Sequence, residues 1–288
     1  AIGTGLATGW CADPYLMVLA AHDECMRNLV CVGADPTQVA VLDNYCWPGC
    51  ENPERMGELV RASIGCLHAG LAFRTPFISG KDSLNNQFTT DAGETIRIPP
   101  TLLISGFGIV PDIGDCVTMD AKNPGNLLVL VGDTTDAVGG SHLLRVASNS
   151  VGDRSLPVVD LEVAPARAKA VASAIANGLV RSAHDPSEGG VLLAAAEMAF
   201  AGEIGLSLDV SAVQGDLASL GVACFAETPS RYLLEVDPAN LTELATVLGE
   251  TPHCVIGEFV PEQILTMGDT LAVLLDDLRA SWQSGLNL

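Results

Sequence analysis

The feature that most constrains this chain is a series of short apolar runs. Each is too brief for an ordinary helix, and most end at a glycine, an acidic residue or a polar turn. Gln38–Asp43 (QVAVLD), Thr101–Val110, Leu127–Gly132 (LLVLVG), Val180–His184, Leu206–Val210, Arg231–Val236 and Val255–Phe259 read as buried strands. Pro76–Ser79 reads as a further short strand ending in Gly80, and Ala1–Thr8 as a small-residue strand or turn. Between them the period changes to that of a helix. Asp13-Pro14 opens one in which Leu16, Val18, Leu19, His22, Met26, Leu29 and Val30 recur to about Val32, and Gly33 closes it. Pro53–Phe73, Ala164–Asn177, Val191–Phe200 and Asn240–Leu248 read as helices, and the tail Asp269–Trp282 as amphipathic. Asn44–Asn52 is expected to be a loop, and Asn85–Ile98 is polar and turn-rich. Strands and helices do not alternate in a regular βαβ rhythm, and no internal repeat is visible. The pattern therefore predicts an α+β chain of two domains, 1–122 and 123–288, divided at Lys122–Gly125 (KNPG).

The 288 residues suffice for one large domain or two ordinary ones, and with 5% aromatic residues the core must be built from Ala, Val, Leu and Ile. The formal charge is −21, from 35 acidic against 14 basic side chains. Such a surface repels phosphate backbones and excludes ordinary nucleic-acid binding; salt adaptation or simple solubility both account for it. A site for an anionic ligand must overcome this field locally, with cations, metal ions or helix N-termini. Nine cysteines occur without a CxxC pair. They read as reduced, largely buried thiols of a cytoplasmic protein. No apolar stretch reaches transmembrane length and no signal peptide is visible. The chain opens on Ala1 without a methionine, which carries the expectation of a segment cut from something longer.

Four motifs offer chemistry. Ser79-Gly80-Lys81-Asp82-Ser83 combines a glycine that permits close backbone approach, a cation, a carboxylate and a hydroxyl, but lacks the spacing of a Walker loop. A plain surface turn is the alternative. Asp43, at the end of an apolar run in Leu42-Asp-Asn-Tyr-Cys-Trp47, stands where strands often present ligands or where an Asx-turn caps a loop. His184-Asp-Pro-Ser-Glu-Gly-Gly190 hands a strand to a helix. Asp185 and Glu188 suit Mg²⁺, Ser187 suits either a ligand or an N-cap, and His184 suits bracing of the loop. Glu24 and Asn28, spaced i, i+4, share one helix face and suit a hard cation or a solvated edge. Gly139-Gly140-Ser-His142 is weaker, a phosphate cradle or a tight turn. Glu227…Arg231 is a potential ion pair.

The order of these motifs says more than any one of them. DPY, the E-x-x-x-N helix, VGADP, LDNYCW, TPFISGKDSLNN, IPPTLLISGFGIV, GGSH, HDPSEGG and FAETPSRYLLEV succeed one another as in phosphoribosylformylglycinamidine synthase. The chain resembles the second half of that family's synthase region over almost its whole length. The resemblance implies a two-domain, aminoimidazole ribonucleotide synthetase-like α+β fold. Its N-terminal domain would form a dimerising β-sheet face and its C-terminal domain an α/β sandwich. It implies an ATP-dependent ligase that converts formylglycinamide ribonucleotide to the amidine with glutamine-derived ammonia, with ATP and Mg²⁺ as cofactors. It implies as partners the N-terminal half of the synthase and a glutaminase. A homodimer is expected when this half stands alone, and neither nucleic acid nor membrane is an expected partner.

Carried over by position, the resemblance assigns Asp43, Gly80, Lys81 and Ser187 to nucleotide binding and Ser83 to substrate. It assigns Glu24, Asn28 and Asp185 to Mg²⁺ at an auxiliary nucleotide. Lys81 replaces a metal-binding Asn of the small form of the enzyme. A further Mg²⁺ aspartate is expected upstream of Ala1. No residue matches the family's catalytic histidine, so no catalytic residue is expected in this half. A non-catalytic nucleotide-holding module is the alternative. Thiamine-phosphate kinase or selenophosphate synthetase is a further one, disfavoured by FISGKDSLNN and LDNYCW.

Overall fold

The computed structural model describes residues 1–147, 152–215 and 219–285. The chain forms two compact units. The first comprises Ala1–Val30, Ala34–Pro111 and Val158–Lys169; the second comprises Cys31–Gly33, Asp112–Pro157 and Ala170–Leu288. The main division thus lies eleven residues before the expected cut at Lys122, and a later segment groups with the first unit.

The first unit holds strands β1 (Ile2–Leu6), β2 (Val39–Cys46), β3 (Phe77–Ser83), β4 (Gln87–Thr89), β5 (Thr95–Arg97) and β6 (Thr101–Gly108), with helices α1 (Pro14–Val30) and α2 (Pro53–Phe73). Four strands make a sheet in the order β1-β6-β2-β3, in which only β2 and β3 run parallel. β4 and β5 pair as a separate hairpin inside the segment expected to be turn-rich. α2 begins where the sequence places it, because Asn52 accepts the Arg55 N–H and Pro53 fills the first turn. α1 lies close against the sheet through a lane of glycines. At Gly5 a Cβ would fall 1.8 Å from the Ala21 carbonyl oxygen, so no larger residue fits. Helix and strand meet there backbone to backbone.

Two readings of the polar segments need correction. β2 continues through Asn44, Tyr45 and Cys46, which the sequence assigned to a loop, and β3 runs through the whole of Gly80-Lys81-Asp82-Ser83 instead of stopping at Gly80. The parallel register explains both. Asp43, Asn44, Tyr45 and Cys46 pair with Gly80, Lys81, Asp82 and Ser83. The ladder pairs the facing backbone groups of both polar segments at once, so side-chain polarity does not end the strands.

The second unit contains β7 (Leu127–Val131), α3 (His142–Val146), the end of α4 (Val163–Ala176), β8 (Val180–His184), α5 (Gly190–Gly202), β9 (Gly205–Leu208), α6 (Leu220–Phe225), β10 (Tyr232–Val236), α7 (Leu241–Leu248), β11 (His253–Val260), β12 (Ile264–Met267), β13 (Leu271–Leu274) and α8 (Leu275–Ser284). Seven strands form one sheet, β13-β12-β9-β11-β7-β10-β8, in which only β12 and β9 pair in parallel. Every residue of β10 is buried, as is nearly all of β7. α5, an apolar helix of small residues, packs into a core with Leu128, Leu130, Leu206, Leu233, Ile256 and Phe259. The carboxylate of Glu235 is fully buried in β10. It accepts the N–H groups of Lys122 and Asn123, the Asn126 amide and the Ser182 hydroxyl, and so fixes the KNPG loop. The tail read as amphipathic begins as β13, and only Leu275–Ser284 is helical.

All nine cysteines are free thiols. Cys25, Cys31, Cys66 and Cys224 are buried, Cys11, Cys46, Cys50 and Cys254 are half-buried and Cys116 is exposed, so the expectation of buried thiols holds for four of the nine. Among the described residues no helix is long and apolar enough to cross a membrane.

Candidate functional site

In the first unit the pleat sorts the GKDS motif onto two faces. Gly80 pairs with Asp43, and a Cβ on Gly80 would meet the Asp43 carboxylate at 2.6 Å. Asp43, Gly80 and Asp82 therefore share one side of the sheet, the side on which the Tyr45 hydroxyl meets Ser63 and Cys66 of α2. Burial raises the Asp43 pKa above the ordinary carboxylate value, and the like charge of Asp82 adds to this. Lys81 and Ser83 point to the other side, where the Lys81 ammonium donates to the Ser83 hydroxyl. The Ser83 carbonyl accepts the Trp47 N–H at 2.8 Å and the Asn86 amide at 3.2 Å, joining LDNYCW to SGKDSLNN. The structure thus brings Asp43 to Gly80, and Lys81 to Ser83, but separates these pairs by the thickness of a sheet. The sequence gives no sign of this unless the segment is read as strand.

Glu24 and Asn28 lie half-buried on α1, one turn apart. Glu24 Oε2 accepts the Leu6 N–H at 2.9 Å, and Asn28 Nδ2 donates to the Thr4 and Glu24 carbonyls, both at 3.0 Å. The pair closes part of the open edge of β1, satisfying backbone groups that no further strand takes up. An edge strand beside a polar helix face carries no local signature, so this use was not legible in the sequence.

In the second unit β8 ends on His184 and the chain turns through Asp185–Gly190. Gly189 and Gly190 are both left-handed, at φ of 78° and 70°. Ser187 does not cap α5: its hydroxyl donates to Asp185 Oδ2 at 2.6 Å, and Gly189 holds the cap position. His184 lies between Asp185 (Nδ1–Oδ1 3.4 Å) and Glu197 (Nε2–Oε2 2.9 Å). Burial by itself would lower its pKa, but the hydrogen bonds and charges of Asp185 and Glu197 outweigh it and push the imidazole up to about 9. It is a cationic brace for the loop, as expected. Glu188 is exposed.

The two weaker motifs also find places here. The Gly139 N–H is spent on the Ser155 carbonyl at 2.9 Å, and the Ser141 hydroxyl on that of Val138 at 2.7 Å, so Gly139-Gly140 is a tight turn. Glu227 accepts the backbone N–H of His142 and of Gly189 and faces the His142 ring. Arg231 is buried and donates to the Ala226 and Thr228 carbonyls and the Thr134 hydroxyl. Glu197 and Glu227 were not singled out as partners of this turn, because each reaches it across tens of residues or a full helix. Among the described residues no three His, Cys, Asp or Glu side chains stand close enough to hold a metal ion.

Residues 123–269, half of the chain, match the family described as AIR synthase related protein, C-terminal domain. The chain belongs to the AIR synthase-related family. It is 33% identical over 269 residues to phosphoribosylformylglycinamidine synthase subunit PurL of Thermococcus sibiricus, which covers 93% of this chain and 36% of that protein. It is 32% identical to PurL of Deinococcus radiodurans over 95% of this chain and 37% of that one. The chain spans little more than a third of the curated relatives it matches. Among solved structures of the AIR synthase-related fold, Thermotoga maritima PurL complexed with FGAR superposes with a TM-score of 0.76 at 18% identity, over 96% of this chain and 45% of that one. The hydrogenase maturation protein HypE in complex with ATP superposes with a TM-score of 0.64 at 15% identity, over 96% of this chain and 84% of that one. These likenesses establish the two-domain α+β fold that the motif order implied.

Proposed function

We propose that this chain is one half of a phosphoribosylformylglycinamidine synthase. It would contribute nucleotide and substrate contacts to an ATP-dependent carbon–nitrogen ligase of purine biosynthesis in the cytoplasm. The supporting observation is sequence similarity to PurL subunits over more than nine-tenths of the chain, with the motifs in PurL order. In this reaction ATP phosphorylates the amide oxygen of formylglycinamide ribonucleotide, and ammonia released by a glutaminase displaces the phosphate. Amide oxygen leaves poorly, and its phosphate ester leaves well, so the step needs positioning and charge stabilisation more than covalent help from the protein. The missing histidine makes the N-terminal half of the synthase the necessary partner.

Within this reading Asp43 and Gly80 shape the nucleotide-facing side of β2 and β3. Lys81, with Ser83, offers a cation and a hydroxyl to an anionic group on the other side. Asp185 and Ser187 serve nucleotide and metal from the glycine turn. Mg²⁺ binds proteins through one or two carboxylates and completes its shell with water and phosphate oxygens, so the want of a three-carboxylate cage is compatible with it. When bound it offsets the triphosphate charge. Asp185, Glu24 and Asn28 are the ligands this proposal names, each to be tested singly. Lys81 in place of the small form's metal-binding Asn, and the want of a residue matching the catalytic histidine, favour a second reading, in which this half holds a nucleotide without taking part in chemistry.

Mg²⁺ with the non-hydrolysable analogue AMPPCP should raise the melting temperature by mass action. Asp185→Asn should remove that rise; a rise unchanged in the variant would reject Asp185 as a ligand. The chain alone, given formylglycinamide ribonucleotide, ATP, Mg²⁺ and ammonium, should form no amidine above a heat-killed control. Steady product from the isolated chain would overturn the half-site assignment.

A further inference from the structure

Three segments of the second unit that lie far apart in sequence meet at one oxygen atom. Glu227 Oε1 accepts the His142 N–H at 2.8 Å, the Gly189 N–H at 2.9 Å and the His142 ring Nδ1 at 3.1 Å. The carboxylate is an acceptor, so the ring nitrogen facing it carries the proton. The Glu227 side chain is 12% exposed and that of His142 is 50% exposed. The contact is therefore largely withdrawn from water on the glutamate side and open on the imidazole side.

Gly189 closes the turn that carries Asp185 and Ser187; its backbone and that of Gly190 are left-handed, a conformation that glycine adopts without strain, and the Gly190 N–H closes the turn on the Ser187 carbonyl at 3.0 Å. Gly190 is fixed from the far side, where a Cβ would stand 2.6 Å from the Ala226 carbonyl oxygen, next to Glu227 in sequence. Asp185 is held by His184 and Ser187 at the start of the turn. Glu227 holds its end from outside the turn, through the Gly189 N–H, and ties that end to the loop of Gly139-Gly140-Ser141-His142.

We infer that Glu227 is a positioning residue of the nucleotide site, setting the geometry in which the Asp185–Gly190 turn meets its ligand. This rests on the nucleotide-binding reading proposed above. Glu227 acts through backbone N–H groups, so its acceptor oxygen matters more than its charge. Glutamine supplies the same carbonyl oxygen and should substitute; alanine should not.

The test is the affinity for Mg²⁺-AMPPCP by titration calorimetry, well below the melting temperature, in the wild-type chain and in E227Q, E227A and E227D. Loss of an outer partner of this kind typically weakens binding by about 10–100-fold. The expected result is E227A weaker by at least about tenfold, E227Q within about threefold of wild type, and E227D, one methylene too short, between them. E227D also serves if alanine prevents folding. A purely structural Glu227 would lower the melting temperature of E227A and leave its affinity intact, and that result overturns the inference. Equal losses in E227Q and E227A would do so too, since charge and not positioning would then be at work. Wild-type protein that binds no nucleotide removes the reading on which the inference rests, and both fall together; binding by wild type with full retention in E227A sinks this inference alone.

Discussion

The two large sheets of this molecule are covered differently. In the first unit β6 alternates along its length: Leu102, Ile104, Gly106 and Gly108 are buried, while Thr101, Leu103 and Ser105 are half-buried and Phe107 is exposed. In the second unit β10 is buried at every position. One sheet has a covered and an uncovered face, and the other is covered on both at its centre. The difference shows in what each tolerates. The covered face of the first sheet is built on glycine, so that α1 can approach to backbone contact. The second is built on Val and Leu, and the charge buried at its centre, Glu235, is met by the hydroxyl of Ser182, buried beside it in β8, and by the groups of the KNPG loop.

The strongest challenge to this contrast is at Gly5. A methyl group there would sit 1.8 Å from the Ala21 carbonyl oxygen, which cannot be relieved by a rotamer change. Gly5→Ala should cost about 3 kcal/mol or more by forcing helix from strand. Its neighbour Thr4 points to the uncovered side, and Thr4→Ala should cost less than about 0.5 kcal/mol. Chemical denaturation of both variants checks this; similar losses would mean that the two faces are equally packed.

In the second unit the corresponding weak point is polar. Glu235→Ala leaves the N–H groups of Lys122 and Asn123 and the buried Asn126 amide without their acceptor at the foot of an exposed loop. A loss of about 2–4 kcal/mol is expected. Glu235→Gln, which keeps one acceptor oxygen, should lose less. If Gln and Ala behave alike, the carboxylate's charge and not its hydrogen bonding holds the KNPG loop.

Where the sequence was legible, a local signal and the tertiary demand agreed. α2 could be bounded because Asn52 and Pro53 start it and because Ala62, Gly65, Cys66, Ala69 and Phe73 lie at helical spacing on its buried face. The strand LLVLVG could be placed because its run of β-branched and Leu residues is too short for a helix and stops at a glycine, and four of the five strand residues are buried. The motif order sufficed to indicate the family and fold. Three things were hidden. β3 passes through Lys81 and Asp82 because β2 supplies a parallel ladder, which no propensity reveals. Ile264–Leu274 splits into two strands through pairing with β9, a partner more than fifty residues earlier. The roles of Glu24, Asn28 and Glu227 depend on backbone groups from distant elements. The sequence names their side chains but not the N–H and C=O groups that they meet.

Two histidines sharpen the contrast between the units through pH. In the first, His22 is buried against Phe73 and Phe77, with Nε2 2.9 Å from the Thr75 hydroxyl; burial pushes its pKa down to about 4. Its neutral form is favoured in the fold, so its contribution is present above the unfolded value of about 6.5 and is lost as pH falls from there towards 4. In the second, His184 is pushed up to about 9, so its contribution is present below about 6.5 and is lost as pH rises through 9. Each pH unit between folded and unfolded titration is worth about 1.4 kcal/mol. Melting temperatures from pH 4 to 10 should therefore show a smaller acid-side fall in His22→Gln than in wild type, and a smaller alkaline fall in His184→Gln. Unchanged slopes in either variant would dissociate that histidine from the stability of its unit.

The smallest effect on stability, and the clearest on assembly, is expected at the uncovered face itself. Ile2, Phe107 and Ala40 lie side by side across three strands, as do Leu6, Leu103 and Asn44 one pleat pair further on. Ile2 is 70% exposed and Phe107 47%. An open sheet face that carries exposed Ile2 and Phe107 favours association, and the acidic exterior resists aggregation without covering it. The chain should therefore self-associate, most simply as a homodimer with the two faces together. Position within the strand decides how a charge acts. Val41 faces the helices and is fully buried, so Val41→Asp should unfold the unit and says nothing about association. Phe107→Asp is on the uncovered face and should leave the melting transition within about 1 kcal/mol of wild type while dissociating the dimer. Light scattering and sedimentation of both proteins at roughly tens of micromolar, where exposed apolar surface drives association, make the comparison. A wild-type monomer at that concentration would mean that the open face needs no partner. A dimer that survives Phe107→Asp would place the contact elsewhere on the molecule.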